Sequence, residues 1–351
     1  MKLLCAVTLA LSVLVSIATP QQNIGGGSVA GKVLCDDTRG PARRASVFLQ
    51  PPIDPRARVL PPEGGFATIT DLDGSFTISN VTPGVYYLIT RYEGYISPDD
   101  YLFPGALSPQ LSGKPVPLPP FVQLVAIVSG ESKHVEIHLK RGGSISGAVT
   151  NSDGAPVPYV ALTAKVKLSN GTFADLGGAS HTDRSGHYSI DGLPDASYIV
   201  LGAMAGGTVP VFGGAAVGGS GLMIFAGGGM RPTKARVIAV TAPNTYEGVD
   251  ITIPLTGTHS VSGDVKASDG HRVNDALIRL YPTGEPRFSL ATPLAVDGTF
   301  SFQRVPPDSY TVHVEEYEDR SFAKSLGNGS VDIKVADMDL PNVSLTVSPS
   351  R

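Results

Sequence analysis

Tryptophan is absent from the 351 residues, and cysteine occurs only twice, as Cys5 and Cys35. Cys5 lies in an export leader, so Cys35 alone is left in the mature chain, and an intrachain disulfide is excluded. A lone thiol of this kind is expected to be buried and inert. Charge is sparse as well: Asp, Glu, Lys and Arg together make up 17% of the chain, with a net charge of −4 that becomes −5 once Lys2 is removed. Without a basic surface to hold a phosphate backbone, nucleic acid is not expected as a partner. Catalytic signatures are missing too. No His-Glu-x-x-His, no Gly-x-Ser-x-Gly and no Gly-Lys-Ser or Gly-Lys-Thr occurs, which removes the common signs of a zinc peptidase, an α/β-hydrolase and a phosphate loop.

What is present is turn chemistry. The 41 glycines and 29 prolines suit short strands joined by tight turns, and no convincing helical periodicity appears in the mature chain. The first residues form an export signal: Met1-Lys2, an apolar run from Leu3 to Ile17, and small residues at Ser16 and Ala18. Residues 1–18 are therefore expected to be removed. The run is shorter than the roughly 20 residues a membrane span needs, so no transmembrane anchor is expected and the protein is placed outside the cytoplasm, secreted or periplasmic.

One pattern is written three times. Strands of alternating character surround Gly31, Gly147 and Gly263, which stand 116 residues apart. Phe76, Tyr188 and Phe300 recur every 112 residues, as do Tyr86, Tyr198 and Tyr310. Repetition at this length predicts tandem copies of one domain, at residues 26–140, 141–255 and 256–351. Each copy holds about seven predicted strands, the size of a Greek-key β-sandwich, and the fold class is all-β. The closing strands Val135–Leu139 and Val249–Ile253 run almost directly into the next copy, so a semi-rigid rod is expected rather than beads on a flexible string. Two insertions break the repeat. Phe103–Phe121 is rich in proline, and the Gly-rich stretch 202–230 contains the apolar run Leu222-Met223-Ile224-Phe225-Ala226, expected as an exposed loop that is either a contact surface or an aggregation hazard.

Asp153-Gly154-Ala155-Pro156-Val157, the Thr-Asp-x-x-Gly-x-aromatic pattern of Thr70–Phe76 and Thr182–Tyr188, and Pro83-Gly84-Val85-Tyr86 resemble the carboxypeptidase regulatory-like domain. The resemblance covers essentially the whole mature chain and departs most in the third copy, which has Ala295 where the others have Asp71 and Asp183. It implies a transthyretin-like sandwich of the carbohydrate-binding-like fold, and it implies no peptidase activity.

Candidate chemistry is sparse. His134, Glu136 and His138 share one strand face, but strand rise separates the two histidines by about 13 Å, too far to share an ion. Asp71-Leu72-Asp73-Gly74 has the carboxylates of a calcium loop, yet reads better as a hairpin turn in which Asp holds its own backbone. No catalytic residue, metal site or cofactor is expected. Tyr87, Tyr92, Tyr95 and Tyr101 cluster in the first copy and are the candidate ligand contacts, since exposed aromatic faces edged by polar groups take sugars. Leu222, Met223, Ile224 and Phe225 are the candidate partner-binding loop. The expected function is a non-catalytic binding or spacing protein that contacts carbohydrate or a surface protein, the alternative being an assembly module docking a partner through strand edges and the apolar loop.

Overall fold

The computed structural model describes residues 26–52, 66–98, 123–168, 171–174, 178–204, 208–209, 217–218, 222–319 and 324–349. The leader, the proline-rich insertion, Tyr101 and much of the Gly-rich stretch lie outside the described residues. Within them the chain is nearly all β and contains no α-helix. Its strands fall into three groups along the chain, and every sheet is built from one group alone.

The first group is β1 (Gly27–Cys35), β2 (Ser46–Gln50), β3 (Phe66–Ile69), β4 (Ser75–Val81), β5 (Gly84–Arg91), β6 (Gln123–Ile127) and β7 (Ser132–Leu139). It forms a three-stranded sheet, β4-β1-β7, and a four-stranded sheet, β3-β2-β5-β6. Alternation in β1 and β2 turns Val29, Val33, Val47 and Leu49 into a shared core with Phe76 and Leu88. Cys35 is buried in that core, as a lone thiol was expected to be.

The second group is β8 (Gly143–Asn151), β9 (Ala161–Lys167), β10 (Phe173–Ala174), β11 (Ala179–His181), β12 (His187–Leu193), β13 (Ala196–Ala203), β14 (Thr208–Val209), β15 (Val217–Gly218), β16 (Met223–Phe225), β17 (Ile238–Val240), β18 (Thr245–Tyr246) and β19 (Ile251–Ile253). One sheet runs β12-β8-β18 with β19 also on β8; a second runs β10-β9-β13-β16, with β11 on β9 and β17 on β13; β14 and β15 pair as a separate two-stranded sheet. The third group, β20 (His259–Ala267), β21 (Ala276–Pro282), β22 (Leu290–Pro293), β23 (Thr299–Val305), β24 (Asp308–Tyr317), β25 (Ser325–Val335) and β26 (Leu340–Pro349), makes a single seven-stranded sheet in the order β22-β21-β24-β25-β26-β20-β23.

The repeated residues meet one another. Gly31 pairs with Phe76, Gly147 with Tyr188 and Gly263 with Phe300 across antiparallel ladders. On the other side of each glycine runs a later segment of the same group, so close that an added Cβ would lie 2.0, 2.3 or 1.8 Å from the carbonyl oxygen of Val135, Val249 or Val343. Glycine stands there because no side chain fits between the backbones. The repeated tyrosines are buried, and each donates its hydroxyl to the carbonyl four residues upstream: Tyr86 to Thr82 at 2.9 Å, Tyr198 to Pro194 at 2.9 Å and Tyr310 to Pro306 at 2.8 Å. These bonds pin the turn leading into β5, β13 and β24.

Candidate functional site

The tyrosines of the first group divide by environment. Tyr87 is half-buried on β5, opposite Leu124 of β6. Tyr92 is half-buried and packs on Tyr95, with ring centroids 5.2 Å apart and planes at 31°. Tyr95 is only 5% exposed, so its ring is packed rather than standing open as expected, though the residue borders the cleft between the first two groups. Its hydroxyl donates to Asp37 at 2.8 Å and accepts from Arg141 at 2.9 Å, while Arg141 Nε donates to Asp37 Oδ2 at 2.6 Å. The guanidinium also lies 4.5 Å from the Tyr95 ring centroid. Hydrogen bonding from Arg141 holds the Asp37 carboxyl below its ordinary range, and burial pushes the Tyr95 hydroxyl up, so it stays protonated. Backbone bonds complete the contact: Ile96 N–H donates to Lys140 and Gly142 N–H to Gly94, both at 3.0 Å. Tyr95 is thus a strut between the first group and the start of the second, placed by Arg141, a residue that sequence reasoning did not single out.

The apolar run also lies elsewhere than expected. Leu222, Ile224 and Phe225 are buried and Met223 half-buried, because β16 pairs with β13 through Phe225↔Leu201 and Met223↔Ala203. An exposed loop of these residues does not exist: β16 extends a sheet, and its side chains have cores on both faces. Leu222 and Ile224 join the second group's core, while Phe225 meets Phe288 of the third group at 5.3 Å and 75°. Phe173 lies 6.5 Å from the same ring at 72°, and Ile199 and Leu201 complete the socket. Met230 and Arg231 then cross in the other direction. Met230 is buried in the third group's core, where its thioether sulfur lies 3.7 Å from the Tyr310 hydroxyl oxygen. Arg231 binds Asp308 through two nitrogens at 2.7 and 3.0 Å and reaches the carbonyls of Ser309 at 2.9 Å and Thr283 at 3.1 Å. Phe288 and Arg231 were invisible to a reading built on repeats, since the side-chain contacts of each are made to a neighbouring group.

The remaining candidates are turns and surface bridges. Asp73 accepts both the N–H of Ser75 at 3.1 Å and its hydroxyl at 2.6 Å, and Asp183 and Asp297 do the same for Ser185 and Thr299. These are self-capped hairpin turns. His138 is held between Asp36 at 2.9 Å and Glu136 at 2.7 Å, which raises its pKa. Among the described residues no group of three or more His, Cys, Asp or Glu could hold a metal ion. No helix of the described residues is long and apolar enough to cross a membrane.

A sharper bridge sits in the third group. His271 lies 2.5 Å from Asp269 and 2.9 Å from the buried carboxylate of Glu316. Hydrogen bonding to Glu316 first, and to Asp269 next, raises the His271 pKa above its ordinary value. A group raised on folding contributes stability that is complete below its unfolded pKa and is lost as pH rises through the folded one. His271→Gln is therefore expected to lower the melting temperature more at pH 5.5 than at pH 8.5. Equal losses at both values would show that the charge does not matter.

An open cleft of about 340 Å³ lies where the first two groups meet, lined by Arg91, Tyr92, Glu93 and Ser97 on one side and Ser189 and Asp191 on the other.

No protein-family model matches the chain, and no curated protein matches it significantly. Solved structures with some likeness include the Bacillus anthracis TIE protein, at 13% identity over 92% of this chain and 51% of that one with a TM-score of 0.22. A streptococcal ancillary pilin is 10% identical over 92% and 99% of the two chains, with a TM-score of 0.26. A Pseudomonas aeruginosa protein provisionally described as carbohydrate-binding is 17% identical over 33% of this chain and 90% of its own, with a TM-score of 0.21. The chain spans about half the length of the TIE protein. At such scores none of these likenesses carries an argument about this chain.

Proposed function

We propose that this is a secreted, non-catalytic binding and spacing protein made of three tandem carboxypeptidase regulatory-like sandwiches, at 26–140, 141–255 and 256–351, that contacts carbohydrate or a surface protein. The observation that carries the reading is that Tyr95 and Phe225, one from each candidate contact element, lie where one group meets the next. A chain that commits aromatics to its joints is built to hold its modules in fixed relation. The repeated glycines, aromatics and tyrosines, with equivalent partners in each group, support three copies of one module. The two joints differ in strength. Arg141 and Asp37 are 43% and 31% exposed, in the range where an ion pair contributes under about 1 kcal/mol. Arg231 and Asp308 are 18% and 24% exposed and bidentate, and their contact is backed by Phe288, so the second joint is the stiffer.

Small-angle scattering of the mature chain tests the geometry. A single elongated, rigid particle is expected; the profile of freely jointed beads would sink the spacer reading. The non-catalytic part falls if a purified sample turns over peptide, ester or glycoside substrates and loses that activity on His134→Ala or Glu136→Ala.

A further inference from the structure

The cleft between the first two groups has the makings of a site that the candidate residues alone did not describe. Its Tyr92 ring packs against Tyr95, which lines the cleft beside it and is itself fixed by Asp37 and Arg141. An aromatic face presented in this way is ordered before any ligand arrives, so binding costs little side-chain entropy. Around it stand groups of mixed character. Arg91 supplies donors, Glu93 and Asp191 supply acceptors, and the Ser97 and Ser189 hydroxyls, which give their protons to the Thr90 carbonyl and to Asp191, add acceptor lone pairs. Ser189 donates to Asp191 at 2.9 Å and so orients the carboxylate while leaving it acceptor capacity.

We infer that this cleft binds a neutral saccharide of one or two rings, with an apolar sugar face on Tyr92 and vicinal hydroxyls on Asp191, Glu93 and Arg91. The inference rests on the carbohydrate limb of the proposed function and assigns it a place. Size fits, since about 340 Å³ stands at the small end of the roughly 300–1,000 Å³ typical of small-molecule sites. Charge chooses the class. Two carboxylates against one guanidinium repel phosphate, sulfate and uronate groups, whereas a neutral polyol offers donors to the carboxylates and acceptors to the guanidinium. The site also spans a joint: Arg91–Ser97 come from the first group, Ala179, Ser189 and Asp191 from the second. A Cβ on Gly192 would meet the Tyr95 carbonyl at 2.7 Å, so β12 is seated directly against the tyrosine loop. A sugar held by both walls stabilises the joint by mass action, which gives a readout that needs no enzymatic activity.

The test uses the full mature chain and a panel of neutral mono- and disaccharides: glucose, galactose, mannose, N-acetylglucosamine, maltose and cellobiose. Binding is followed by tyrosine fluorescence, which no tryptophan obscures, and by amide chemical shifts. At least one sugar is expected to saturate, with shifts confined to Arg91–Ser97 and Ala179–Asp191. Tyr92→Ala and Asp191→Asn should each weaken it about tenfold, the effect of losing one stacking or charge-assisted contact, while Tyr92→Phe keeps the ring and most of the affinity. Asp191 is exposed, so loss of binding in Asp191→Asn at an unchanged melting temperature cannot be laid to misfolding. If a sugar binds all three variants as tightly as the parent, the cleft is wrong and a carbohydrate contact elsewhere stands. If no neutral sugar saturates, or only sulfated or phosphorylated ones do, the neutral-saccharide site is overturned, and scattering still decides the spacer reading separately.

Discussion

Gly263→Ala is expected to destabilise the third group by about 3 kcal/mol, at the upper end of what overpacking a tight site costs. The new Cβ would lie 1.8 Å from the Val343 carbonyl oxygen, 2.6 Å from its carbon and 2.9 Å from its Cα. All three are backbone atoms, so no flexible side chain can swing aside. Relief requires β26 to move away from β20, and β26 is bound to β20 in parallel from Val261 to Ala267. Retreat by β20 is blocked on the other side by its ladder to β23. At 4–8 °C per kcal/mol for a domain of this size, the melting transition of the third group should fall by roughly 15 °C. Ser262→Ala, one residue away in the same strand and half-buried, should change it by no more than about 0.5 kcal/mol. A Gly263→Ala variant that melts with the parent would mean the strands are not this close in solution. The same collision is expected at Gly31 and Gly147.

These glycines show how far the sequence could be read. Their spacing, and that of Phe76, Tyr188 and Phe300, located the strands and the faces that pair, because alternation and turn chemistry are local. The reason for glycine was hidden, since the colliding carbonyls of Val135, Val249 and Val343 arrive from 104, 102 and 80 residues further along. Tyr86, Tyr198 and Tyr310 were legible as core because they repeat. Tyr95 was not, for it does not repeat, and it is packed in the first group's core with its hydroxyl held by Asp37 and Arg141, far from it in sequence. The run Leu222–Ala226 misled for a related reason. Surrounding glycines suggested an open loop, whereas its hydrophobicity was answered by β13 on one edge and by Phe288 from the next group. Features set by neighbours close in sequence were readable, and features set by distant segments, within a group or between groups, were not.

Phe288→Ala tests that boundary, and the expected result is that the second and third groups come apart thermally. Phe288 is 8% exposed and belongs to neither group's main core; it forms a separate cluster with Ile199, Leu201 and Phe225. Its removal costs about 3 kcal/mol, the low end for Phe→Ala, because a socket between two modules can admit water or close up more readily than a sealed core. The loss includes the contact of Lys165 Nζ, 5.6 Å from the ring centroid. Neither group loses a residue of its main core, so each should keep its own stability while the coupling between them falls. Calorimetry should then show two resolved transitions where the parent shows one for this pair, and scattering should show a looser particle. Arg231→Ala is expected to weaken the same joint from the other side, leaving Asp308 without its bidentate partner, and the two losses should add because the contacts share no residue. An unchanged thermogram and scattering profile in the double variant would show that the joint contributes no energy. The modules would then be independent, and a protein that spaces its binding surfaces by rigid joints would be the wrong reading of this chain.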